Sequence, residues 1–179
     1  FGESHGRAVG AVIDGLAPGL DISEERIAAK LATSENEVWA GTFHSVCAKM
    51  LRRFGERLGY ESSFAIYDTD DQKRLMKSIY KQYEIDDKMF PIRMVLNEIS
   101  RAKDELITPD EYRSTCGSDF RAVKVAELYK IYQNQLKSAN AMDFDDIIVN
   151  TVVMLRDFSD VREVYQKRFK YVMVDEYQD

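Results

Sequence analysis

Three carboxylates crowd the end of this 179-residue chain: Asp175, Glu176 and Asp179, with Tyr177 and Gln178 between them. They follow Tyr171-Val172-Met173-Val174, a short apolar run of β-formers that reads as a buried strand. Carboxylates at the C-terminal end of a parallel strand sit where open α/β sheets bind ligands. There an Asp can hold a hydrated Mg²⁺ on a nucleotide, and a neighbouring Glu can orient or deprotonate an attacking water. An acidic loop after any buried strand fits the same residues, and the stretch alone leaves both readings open. The chain stops inside this pattern and begins with Phe1 rather than Met, which suggests a cut at each end.

A second group is Thr42-Phe43-His44-Ser45, at an expected strand-to-helix junction. Hydroxyls and free N–H groups at a helix start suit a phosphate, and Phe43 and His44 suit stacking and hydrogen bonding to a single strand. Equally, Thr42 or Ser45 simply caps the helix. Lys49, Arg52, Arg53 and Arg57 share the polar face beyond, as a phosphate track or as a solvated face. Asp143-Phe144-Asp145-Asp146 places three acids at a helix start, which the helix dipole explains and which is too few ligands for a metal. Gly2-Glu3-Ser4-His5-Gly6 reads either as an active-site loop with His5 as acid or base, or as a glycine-rich terminus without structure. No G-x-x-x-x-G-K-[ST] occurs anywhere, so the Asp175–Glu176 pair lacks the loop that cradles phosphates.

The elements that position these groups are mostly helices. A short strand is expected over Val9–Ile13, turn signals follow at Asp14-Gly15 and Pro18-Gly19, and Ser23 caps a helix that runs to about Leu31. Val38–Thr42 is a second strand. Phe43, Val46, Cys47, Met50, Leu51, Phe54 and Leu58 then share one helical face, ended by Gly59. Phe64–Tyr67 is an extended bridge. Thr69–Gln72 reads as a capping box, with Leu75, Met76, Ile79, Tyr80 and Tyr83 inward. A helix near Pro91 turns Met94, Val95, Ile99 and Ala102 inward, and Thr108-Pro109-Asp110-Glu111 is a further capping box. Val125, Leu128, Tyr129, Tyr132 and Leu136 stripe a longer helix that Ser138–Asn140 break. Asp143 caps the next helix, Ser159 the last, and the closing strand follows. The fold class expected is mainly α with a small parallel β layer from residues 9–13, 38–42 and 171–175.

The chain is 45% hydrophobic and 31% charged, the composition of a globular protein able to bury a core. A net charge of −6 argues against a surface that binds polyanions everywhere, while leaving room for one basic face. Two cysteines, Cys47 and Cys116, are too few for a disulfide framework or a zinc site and read as buried thiols in a reducing, cytoplasmic setting. No apolar stretch approaches the roughly 20 residues that span a bilayer, so no membrane role is expected. Exposed strand edges leave self-association open.

Taken together, the motifs resemble one family. VWAGTFHS (Val38–Ser45), MLRRFGERLGY (Met50–Tyr60), FAIYDTDDQ (Phe64–Gln72), MDFDDI (Met142–Ile147) and VDEYQD (Val174–Asp179) stand in the order and spacing of the UvrD/PcrA/Rep group of superfamily 1 ATP-dependent DNA helicases. The resemblance implies a partial RecA-like P-loop domain, 23–51 and 139–179, carrying a helical 1B-type insertion, 52–138, that lies over duplex DNA. It implies that Thr42, Phe43, His44 and Ser45 touch single-stranded DNA. Asp175 would hold Mg²⁺ and Glu176 activate water as the Walker B pair, with Gln178 coupling ATP to DNA. Lys49, Arg52 and Arg53 would add weak DNA contacts.

The family's phosphate loop and everything after its Walker B motif are missing. In place of the missing front, Phe1–Leu20 (FGESHGRAVGAVIDGLAPGL) resembles the N-terminal signature of chorismate synthase, which uses reduced FMN; His5 would match its acid/base histidine. Ala17 before Pro18 departs from that signature. The chain therefore reads as a chimera, with residues 1–22 as a foreign N-terminal segment whose strand could replace the missing helicase strand. Three readings follow: a stretch of a 3′-to-5′ DNA helicase without ATPase activity of its own, a flavin-dependent lyase related to chorismate synthase, or a structural module in which the foreign segment only rescues folding.

Overall fold

The computed structural model describes residues 9–12, 39–169 and 172–174. The candidate residues His5, Asp175, Glu176 and Gln178 and the helix expected after Ser23 lie outside them. The chain runs β1 (Val9–Val12), β2 (Trp39–Thr42), α1 (Phe43–Phe54), a 3₁₀ turn (Gly55–Leu58), β3 (Ala65–Tyr67) and α2 (Thr69–Gln82). It continues through α3 (Ile92–Asp104), α4 (Pro109–Thr115), α5 (Phe120–Ser138), β4 (Ala141–Asp143), α6 (Phe144–Asp157), α7 (Ser159–Arg168) and β5 (Met173–Val174). The architecture is mainly α with small β layers, as the hydrophobic spacing foretells.

The start and stop signals act locally. Thr108 and Glu111 close the expected capping box on α4, with Pro109 at the first helical position. On α2 the box belongs to Asp68 and Asp71, one residue earlier than expected, because the Asp68 carboxylate accepts from the Asp70 and Asp71 N–H groups and Thr69 is already helical. Ser159 likewise opens α7 from inside; Phe158 precedes it without a side-chain cap. The last carbonyls of α6 are satisfied instead by Arg162, which donates to Leu155 O at 2.9 Å and Arg156 O at 3.0 Å. Gly59 stops the turn after α1 with φ +74°, a left-handed conformation that suits glycine.

Two apolar cores result. The first gathers Met76, Ile79, Tyr80, Val95, Ile99, Val125, Leu128, Tyr129, Tyr132, Leu136 and Ala141 from α2, α3, α5 and β4. The second gathers Met50, Leu51, Tyr60, Phe64, Met142, Ile147, Met154, Val161 and Tyr165 from α1, β4, α6, α7 and the loop after α1. Ala141 and Met142 fall in different cores because successive strand residues face opposite sides. The long-helix stripe of Val125, Leu128, Tyr129, Tyr132 and Leu136 is buried throughout, whereas Tyr83 and Phe43 are exposed.

The sheets differ from expectation. β1 pairs antiparallel with β2, Val9 opposite Thr42, and antiparallel with β5, Gly10 opposite Val174. β1 is therefore the middle strand, and β2 and β5 run in one direction on either side of it. The expected parallel layer of these three strands assumed a helical crossover from the first to the second. Antiparallel partners need only a reversal of the chain, and a period-2 apolar pattern serves either direction. The parallel pair is β3–β4, Ala65 opposite Ala141 and Tyr67 opposite Asp143, at the entry and exit of the first helical core. Among the described residues, no helix is long and apolar enough to cross a membrane.

Candidate nucleic-acid interface

Thr42 closes β2 and caps α1. Its backbone is extended, its Oγ1 accepts from the Ser45 N–H at 3.3 Å, and the Ser45 hydroxyl donates back to Thr42 O at 2.8 Å. This reciprocal pair holds the junction, so capping and candidate contact fall on the same residues. It also explains Gly41, where a Cβ would collide with the Ser45 Oγ. Phe43 and Phe144, the first residues of α1 and α6, are each 46% exposed. The half-buried His44 meets the Phe144 ring edge-on at 5.4 Å between centroids. The structure thus brings a fifth residue, Phe144, to the Thr42–Ser45 group. Reading residues 143–146 as an acidic helix start overlooked it; its signal was an aromatic at a helix start that no apolar period requires.

The four basic candidates divide. Lys49 and Arg53 are exposed, Lys49 lying 5.6 Å over the Trp39 ring and Arg53 5.1 Å over Phe54. Arg52 is already engaged: it donates to Ser62 O and Phe64 O and lies 4.3 Å over the Phe64 ring. Arg57 pairs with Asp160 across the start of α7. Cys47 faces inward, where burial pushes its thiol up although Thr151 hydrogen-bonds to it. Both cysteines are free.

Behind the junction lies an arrangement that sequence spacing did not disclose. Lys103, near the end of α3, is 1% exposed. Its ammonium binds Asp143 Oδ2 at 2.6 Å and Asp146 Oδ1 at 2.9 Å. The other oxygens of those carboxylates form the capping box of α6: Asp143 Oδ1 accepts from Asp146 N at 2.9 Å, and Asp146 Oδ2 from Asp143 N at 3.2 Å. From α5, the Tyr132 hydroxyl donates to Asp143 Oδ2 at 3.0 Å and Gln133 Nε2 to Asp146 Oδ1 at 3.0 Å. Burial opposes the charge on Lys103, but the two carboxylates together outweigh it and hold its pKa above the ordinary lysine value. Burial pushes the Asp146 carboxyl up to about 6, the Lys103 charge only partly offsetting it, while the Asp143 charge adds to the rise. Burial and the same carboxylates raise the Tyr132 hydroxyl, so it stays a donor. Among the described residues no group of three His, Cys, Asp or Glu side chains is arranged as a metal site.

Fold and junction define a class: a helical body with small β layers that exposes aromatics and hydroxyls at helix starts. Residues 23–179 match the model of the UvrD/REP helicase N-terminal domain, and the chain belongs to that family. Residues 1–41 match the chorismate synthase family model, so the N-terminal segment is similar to a second family. Similar proteins include the ATP-dependent DNA helicase PcrA of Staphylococcus epidermidis, 43% identical over 79% of this chain and 19% of that protein. PcrA of Bacillus subtilis is 39% identical over 87% of the chain and 21% of that protein. PcrA of Staphylococcus aureus is 40% identical over the same shares. The chain thus spans about a fifth of the length of the curated relatives it matches.

Proposed function

We propose that this chain supplies part of the DNA-binding face of an ATP-driven helicase, and that Thr42, Phe43, His44, Ser45 and Phe144 meet a single strand. The carrying observation is the exposed Phe43 and Phe144 rings at two helix N-termini, with the half-buried His44 against Phe144 and with Lys49 and Arg53 exposed on the helix of Phe43. Stacking serves any base, and the helix start and cations serve phosphates. Arg52 contributes less, since its guanidinium is bound to backbone carbonyls. Residues 52–138 form the insertion that lies over duplex DNA. Asp175 and Glu176 take the roles of Mg²⁺ ligand and water activator in the complete ATP site, with Gln178 coupling that site to DNA.

By itself the 179-residue polypeptide hydrolyses no ATP, because its sequence contains no phosphate loop. ATP hydrolysis by the pure polypeptide, abolished by Glu176→Gln, would overturn that claim. DNA binding is tested by titrating a labelled oligothymidine and a forked duplex across a salt series. Affinity should fall steeply as salt rises, and Phe144→Ala or His44→Ala should weaken oligothymidine binding. Binding that is salt-independent or indifferent to both substitutions would sink the assignment.

A second reading concerns the N-terminal segment, and the match of residues 1–41 to chorismate synthase motivates it. We infer that this segment serves as a strand donor, not as a flavin site: β1 lies between β2 and β5, and a middle strand completes an apolar sheet face. Deleting residues 1–20 should lower stability, and an unchanged melting temperature would refute the donor role. Reduced FMN should not bind; a saturable fluorescence titration dependent on His5 would favour the lyase reading.

A further inference from the structure

Phe144 stands in sequence between the two carboxylates that Lys103 binds, and its ring is the one that meets His44. Each of those carboxylates is divided in use. One oxygen closes the α6 capping box and the other accepts from Lys103. Helix ends ordinarily face water and fray. This one is buried, and it is held from outside by a side chain of α3 and two of α5.

We propose that Lys103 is a positioning residue for the single-strand surface. By binding Asp143 and Asp146 together it fixes the first turn of α6, and so holds the Phe144 ring against His44. The proposal rests on the DNA-binding reading given above and assigns the helical insertion a part in it: α3 and α5 set the geometry of an aromatic pair they do not themselves belong to. An ammonium suits the task, because it can donate to both carboxylates at once while their remaining oxygens stay on the helix. A neutral side chain would leave two buried carboxylates facing each other.

The chain contains two histidines, His5 and His44, so its imidazole proton NMR signals are few and His5→Gln assigns them. The Phe144 ring current marks the His44 signal, which reports the contact without any DNA. Phe144→Ala should move that signal and weaken oligothymidine binding about fivefold or more. Lys103→Met should move the His44 signal in the same direction and weaken binding similarly, and the double variant should lose little beyond Phe144→Ala alone. A folded Lys103→Met protein with a native His44 signal and native affinity overturns the proposal, as do fully additive losses. Should circular dichroism show that Lys103→Met does not fold, Asp146→Asn carries the same two readouts. A shifted His44 signal with weaker binding then supports the proposal, and a native signal overturns it. If Phe144→Ala and His44→Ala both leave affinity unchanged while Lys103→Met still moves the His44 signal, the DNA-binding reading fails and the positional coupling stands.

Discussion

The guanidinium of Arg52 lies 4.3 Å from the centroid of the Phe64 ring and donates to the Phe64 carbonyl at 3.2 Å. It ties the end of α1 to the segment that leads into β3. A residue that sequence places among phosphate contacts thus has a structural task. Arg52→Ala should cost about 1–3 kcal/mol, since it removes charged hydrogen bonds and a cation–π contact at once. Urea unfolding measures this. Lys49→Ala and Arg53→Ala should change stability far less and oligothymidine affinity more.

Asp143 serves three partners: Lys103, the Tyr132 hydroxyl and the Asp146 N–H. Removing one side of a buried ion pair leaves the other side unpaired. Asp143→Ala should therefore destabilise by about 3–5 kcal/mol, more than any exposed pair in the protein. The comparison is Lys130→Ala, which breaks only the exposed pair with Asp110 and should cost about 0–1 kcal/mol by the same unfolding measurement.

Asp146 makes stability depend on pH in a direction opposite to that of most acids. Its folded pKa, about 6, exceeds the ordinary 3.8, so between these values the folded state binds more protons than the unfolded one. Its contribution is fully present below the ordinary value and is lost as pH rises through about 6. Lys103, Asp143 and Tyr132 face it, and Lys103 and Tyr132 keep their protons across this window. The stability of the native protein relative to Asp146→Asn should fall from pH 4 to pH 6.5. A difference that is flat, or that grows with pH, would contradict the assignment.

Gly59 and Gly117 both have positive φ, +74° and +53°. Alanine at either should cost about 1 kcal/mol for the left-handed backbone. At Gly59 a Cβ also meets the Lys137 Nζ at 3.3 Å, the group that lies over the Tyr60 ring and donates to Leu58 O. At Gly117 nothing lies within 4 Å. Gly59→Ala should therefore be the more damaging in thermal unfolding. Equal losses would mean that the Lys137 contacts carry no weight.

What sequence alone determined about this protein is local. The Thr108–Glu111 box, the Asp143 cap, the Gly59 stop and the buried stripe of α5 follow from hydrogen bonds and side-chain periods spanning three or four residues, so the order of residues nearly dictates them. The family was equally legible, because its motifs are short strings in a set order. Tertiary structure alone decided what depends on distant partners. A lysine is ordinarily exposed, and nothing near Lys103 announces the carboxylates of Asp143 and Asp146 so far along the chain. Period-2 patterning allowed β1 either strand direction, and packing chose antiparallel. Phe144 joined the candidate site only when α1 and α6 packed side by side and set its ring against His44. The local code names the groups that can do chemistry; burial, which makes a charge costly unless paired, decides which of them are held in place.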